Sequence, residues 1–238
     1  MLSFIIAFAM AVLPAILLLI YIYKKDAKPE PKGQIWRAIL LGAATVIPIV
    51  ILENIISAFL FGEGGEASSF LSHCVDAFFV AALPEESFKL LALWLVLRKN
   101  PHFDEHFDGI VYSVCVGLGF ATIENIFYVV GDGDWASVGI MRAIFSVPGH
   151  YAFAVLMGYY YAQYHFVERS FLNWISILWV PVIAHGIYDA IVMNIAISDY
   201  LVLPIIALLI FFCVKMHKIC KKKITAQLEL DKTGNIEA

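Results

Sequence analysis

Charge is scarce in this 238-residue chain: Asp, Glu, Lys and Arg make up 15% of it, against 61% hydrophobic residues and a mean hydropathy of +0.82. Soluble domains carry about 25% charged and about 45–50% apolar residues, so a soluble globular fold is excluded. Cysteine is equally sparse. Cys74, Cys115, Cys213 and Cys220 lie far apart with no CxxC pair, which argues against both a disulfide framework and a cysteine zinc site. No HExxH occurs, and no loop exceeds about ten residues, which leaves no room for a separate soluble domain. Alternating apolar and polar positions are missing too, so a transmembrane β-barrel is excluded. The first apolar run lacks a basic leader and is long enough to span, so it reads as a membrane helix rather than a cleaved signal peptide. No inverted repeat of the transporter kind is visible; the echo of LENII (52–56) in IENIF (123–127) lies on helices that run the same way.

What remains is a set of long apolar runs, each able to cross about 30 Å of hydrocarbon. Lipid leaves no partner for unpaired backbone groups, so these runs must be helical. The fold class is therefore all-α: a polytopic membrane helix bundle of about seven spans, at 2–23, 35–61, 70–97, 109–131, 135–164, 171–197 and 200–217. Residues 1–217 read as one transmembrane domain, and 218–238 as a basic, then polar, poorly ordered cytoplasmic tail. Of the 16 Lys and Arg residues, 14 fall in the first, third and fifth loops, the adjoining start of the second helix, or the carboxyl-terminal region. The second, fourth and sixth loops have none. The positive-inside rule then places the amino terminus outside and the carboxyl terminus in the cytoplasm. The basic start of the tail suits anionic lipid and gives no reason to expect nucleic acid.

Against this background the intramembrane ionisable groups stand out, because a charge in hydrocarbon costs at least about 2.5 kcal/mol. Glu85 and Glu86 are adjacent, with Lys89 four and three residues on, within reach of either carboxylate. Glu124 and Asn125 follow on the fourth helix, Arg142 and His150 on the fifth, His185 and Asp189 on the sixth, and Glu53 on the second. At 1.5 Å per residue they share one slab, from mid-membrane to the outer leaflet. His185 and Asp189, spaced i,i+4, let the carboxylate orient the imidazole. Pro84, Pro148 and Pro181 precede the key groups and free backbone carbonyls near them. The chemistry that suits this set is hydrolysis, with a carboxylate activating water and an imidazole sharing the proton. Glu53 and Arg142 also admit a purely structural reading, and His102, His106, His165 and His217, in or beside loops, read as solvated.

EESFK (Glu85, Glu86, Lys89), FATIEN (Phe120 to Asn125), the Arg142…Pro148-Gly149-His150 segment and HGIYD (His185 to Asp189) together resemble the PrsW proteases. These are bacterial multi-pass enzymes related to the CAAX-protease and bacteriocin-processing superfamily. The resemblance implies a glutamic-type intramembrane peptidase of the bacterial cell membrane, making a first cut in a membrane-anchored protein such as an anti-sigma factor. Glu85, Glu86, His150 and His185 would then be catalytic, with Lys89, Glu124, Asn125, Asp189 and Arg142 supporting, and neither metal nor other cofactor. Glu124-Asn125 and Asp189 depart from the CAAX branch, where histidine and asparagine are usual, and leave the oxyanion donor open. Two rival readings use the same residues: a metal-dependent membrane protease, and a non-enzymatic transporter or proton relay.

Overall fold

The computed structural model describes residues 2–131, 133–195 and 197–234. Among them there are helices and no strands. Seven long helices follow one another: α1 (Leu2–Tyr23), α2 (Lys32–Phe61), α3 (70–97), α4 (His106–Gly131), α5 (Trp135–Val167), α6 (Phe171–Met193) and α7 (Val202–Thr233). Six are long and apolar enough to cross a membrane. The remaining one, α3, carries Asp76, Glu85, Glu86 and Lys89, and it packs against α2, α4 and α6.

Helix α4 is the axis of the bundle: His106 to Ala121 are all buried, wrapped by α1, α2, α3, α5 and α7. Small residues make these approaches possible, as in membrane helix pairs generally. A Cβ added at Gly42 would sit 2.0 Å from Val116 O, one at Gly119 2.2 Å from Ile39 O, and one at Gly158 2.3 Å from Gly109 O. Backbone cannot yield as a flexible side chain can. Gly158→Ala is therefore expected to lower stability by about 1–3 kcal/mol, read as a fall in the thermal unfolding midpoint of the purified protein.

Among the described residues two segments of π-helix are followed by further α-helix, Asp76–Ala82 in α3 and Arg142–Ser146 in α5, and a third, Gln163–Val167, ends α5. Each of the first two ends just before a proline, Pro84 or Pro148, in the first turn of the resumed α-helix. Proline has no N–H to donate and crowds the carbonyl four residues back; a widened turn relieves both. The glutamate pair and His150 follow directly.

The turn after α1, the α3–α4 and α5–α6 connections and the end of α7 meet at one end of the bundle. Tyr112 bonds Glu30, Lys28 pairs with Glu105, and Phe103 packs on Phe166. At the other end, His73 bonds Asn194.

Several bounds differ from the sequence reading. α2 begins at Lys32 and is interrupted by a single turn residue at Thr45, α4 begins at His106, α5 continues to Val167, and α6 stops at Met193, with residue 196 outside the described set. The larger correction is the tail: instead of being poorly ordered after 217, it continues α7 to Thr233. Cys220, Ile224 and Gln227 are buried, Gln227 donates to Tyr159 O at 3.4 Å, and Asp231 accepts the His106 and Phe107 amides at 2.8 and 2.9 Å. Asp231 thus caps α4 from 125 residues away. It also receives His106 Nδ1 at 2.8 Å, so His106 is fully buried rather than solvated.

Candidate active site

Glu85 and Glu86 open the α-helical part of α3 after Pro84 and are 5% and 1% exposed. Lys89, one turn on and equally buried, donates to Glu85 Oε2 at 2.7 Å and to Glu86 Oε1 at 2.9 Å. Its ammonium also lies 3.4 Å from His150 Nδ1 and over the Phe120 ring, 4.0 Å from the centroid. One buried cation is therefore shared by two carboxylates, an imidazole and an aromatic face, which makes two adjacent carboxyl groups tolerable in the bundle interior.

The two histidines enter from neighbouring helices, their ring centroids 5.3 Å apart. His185 Nδ1 lies 3.0 Å from Glu86 Oε1 and its Nε2 3.0 Å from Asp189 Oδ2, the i,i+4 contact expected on α6. Phe153 stacks on its ring at 4.6 Å. On α5, His150 directs Nε2 at Glu124 Oε2, 2.9 Å away on α4. Arg142 clamps this second carboxylate: Nη2 to Glu124 Oε2 and Nε to Asn125 Oδ1 are both 2.6 Å, and Tyr128 covers its guanidinium. Asn125 in turn donates to Ala11 O at 2.8 Å, tying the group to α1.

Every residue singled out in the sequence thus joins one connected network, with Glu53 on the wall of the adjoining cavity. That cavity encloses about 480 Å³ and is lined by Glu53, Glu85, Glu124, His150, His185 and Asp189, among others. It runs on past Asp76 and Val192 to Ile195, towards the end of the bundle that has few basic residues. Glu86 does not line it. Phe153 and Tyr128 were not singled out in the sequence, and Phe120 entered only as the first residue of FATIEN; nothing in spacing alone tells an aromatic floor from ordinary core.

The donor set also fits a divalent metal. Glu85, Glu86, His150 and His185 each offer a ligand atom, all within 4.8 Å of one another. Both histidines give one ring nitrogen to an outer carboxylate and turn the other inward, as metal-bound histidines are held. Glu86 Oε2 is buried with no hydrogen-bond partner among the described residues. An ion taking these donors would take them from Lys89.

The profile of a family described as "PrsW family intramembrane metalloprotease" matches residues 30–216. The chain belongs to the PrsW protease family. It is 36% identical over 222 residues to Protease PrsW of Clostridioides difficile (strain 630), covering 90% of each chain. To Protease PrsW of Bacillus subtilis (strain 168) it is 35% identical over 208 residues, 86% of this chain and 91% of the relative. To that of Oceanobacillus iheyensis it is 37% identical over 198 residues, 82% and 87%. No solved structure matches. The protein is therefore a multi-pass bacterial membrane protease, a hydrolase, and the PrsW match spans every residue of the network described above from Glu53 to Asp189. The second carboxylate layer gives an expected outcome for the site. Glu124→Gln, which keeps the shape but loses the charge holding Arg142 and His150, should lower kcat about 10–100-fold with KM little changed, measured by steady-state cleavage.

Proposed function

We propose that the protein hydrolyses a peptide bond in a membrane-anchored protein, near the outer membrane face, with Glu85 as general base. The observation that carries this is the convergence of Glu85, Glu86, His150 and His185 beside one cavity, with Glu85 but not Glu86 on its wall. Water in that cavity meets Glu85 first. Glu85 takes a proton as the water oxygen attacks the scissile carbonyl, and later returns it to the leaving amine. His150, held by Glu124, lines the same cavity, and Glu86 holds Lys89 and His185 in register. Lysine- and arginine-rich loops at one end orient that end to the cytoplasm, so the cavity leads outward, where a first, site-one-type cut is made.

A metal-dependent form of the same hydrolysis is favoured by the two carboxylate-backed histidines and by the family's description as metalloproteases. Glu86, His150 and His185 would hold the ion, leaving Glu85 free as the base. When bound, such an ion supplies an acidified water and polarises the carbonyl. Metal content of the purified protein, with cleavage before and after chelation, separates the two forms.

The substrate class is tested by trapping. Glu85→Gln protein, cross-linked in cells, is expected to retain a full-length single-span protein, an anti-sigma factor among the candidates, that appears as a truncated product with wild type. Recovery of the same uncut protein with both would contradict the assignment.

A further inference from the structure

A second group of buried acids lies at the basic end of the bundle. Asp26 and Glu30, in the turn joining α1 to α2, meet Asp108 of α4; they are 7%, 4% and 1% exposed, and each offers an oxygen within 4.8 Å of the others. Some of their oxygens are committed. Asp26 Oδ1 accepts the Lys28 amide at 2.9 Å, Asp108 Oδ2 accepts the Asp104 and Glu105 amides at 3.0 and 2.7 Å, and the Tyr112 hydroxyl donates to Glu30 Oε2. Asp26 Oδ2 and Asp108 Oδ1 remain, sealed from solvent and with no donor among the described residues, and the Asp108 and Glu30 carboxyl groups meet each other.

Nor does any described residue form an ion pair with these three acids. Lys28, the lysine of the same turn, reaches out to Glu105 instead, its side chain 73% exposed. An uncompensated buried carboxylate costs several kcal/mol, so the group calls for a cation or for protons. The donors decide which cation. All are oxygens, with no imidazole or thiolate, which suits a hard divalent ion rather than zinc or copper.

We propose that Asp26, Glu30 and Asp108 bind a divalent cation of the Mg²⁺, Mn²⁺ or Ca²⁺ class, which fastens the α1–α2 turn to α4. The site is distinct from the proteolytic network. Asp108 and Glu124 are separated by 16 residues of α4, about 24 Å at 1.5 Å per residue. Asp231 of α7 already caps α4 two residues before Asp108, so the cation would tie the α1–α2 turn to α4 at the end where α7 is also docked.

The test uses full-length protein in lipid nanodiscs, stripped with EDTA and then titrated with MnCl2, MgCl2 or CaCl2. Mn²⁺ binding is read by electron paramagnetic resonance and stability by thermal unfolding. Wild type is expected to bind Mn²⁺ displaceable by Mg²⁺ or Ca²⁺, and to unfold at least about 5 °C higher when the ion is at a hundred times its Kd. Asp108→Asn keeps an acceptor for the two amides and Glu30→Gln keeps the bond from Tyr112. Each should weaken binding at least tenfold, yet be no less stable than wild type in EDTA because a buried charge is gone. Equal binding by wild type and both variants would overturn the proposal. So would the lack of any Mn²⁺ binding or cation-dependent shift in wild type, whatever the variants do.

Discussion

Glu85→Gln protein should accumulate in the membrane as wild type does and cleave substrate about a thousandfold more slowly, the loss falling on kcat. The neutral amide fills the same space and can still accept one hydrogen from Lys89, which stays paired with Glu86, but it cannot take a proton from water. Glu86→Gln should differ in kind. It removes the carboxylate shared by Lys89 and His185 at 2.9 and 3.0 Å, in a side chain only 1% exposed, so both activity and stability should fall. Cleavage and thermal unfolding of the two variants side by side read this contrast. An active Glu85→Gln beside a folded, dead Glu86→Gln would move the base to Glu86.

His185→Ala should cost about 10²–10⁴ in kcat, because it removes the group between Glu86 and Asp189 and empties the face stacked on Phe153. Asp189→Asn should cost only about tenfold, since it weakens the orientation of an imidazole that still faces Glu86. The double variant His185→Ala/Asp189→Asn should be no worse than His185→Ala alone, as Asp189 acts through the histidine. These rates come from the same steady-state assay. A further loss in the double variant would mean that Asp189 touches substrate or water itself.

How far the sequence anticipated this centre follows from what hydrocarbon penalises. Glu85, Glu86, Lys89, Glu124, Arg142, His150, His185 and Asp189 were legible because each is costly in a membrane, and counting along each helix put them at one depth. The contacts within one helix, Lys89 with the glutamates and His185 with Asp189, follow from i,i+3 and i,i+4 spacing. Contacts between helices were not legible. That His150 turns to Glu124, and that Arg142 spans Glu124 and Asn125, depends on helix rotation, and the π-helical turns at Asp76–Ala82 and Arg142–Ser146 shift the phase of the faces that follow. The carboxyl-terminal region was misread because its lysines suggested a solvated tail. Cys220, Ile224, Gln227 and Asp231 nonetheless recur every three or four residues, and that stripe is the face docked on α4 and α5. His106 was misread because it stands beside a loop, while its partner, Asp231, is 125 residues away.

Peptide-bond cleavage by one network centred on Glu85 is tested by cutting a purified single-span substrate with purified protein in proteoliposomes, wild type against Glu85→Gln, with product termini identified by mass spectrometry. A cut near the outer end of the span is expected with wild type, and about a thousandfold less of it with the variant. Equal cleavage by both, or ion or solute flux without any cleavage, would contradict it.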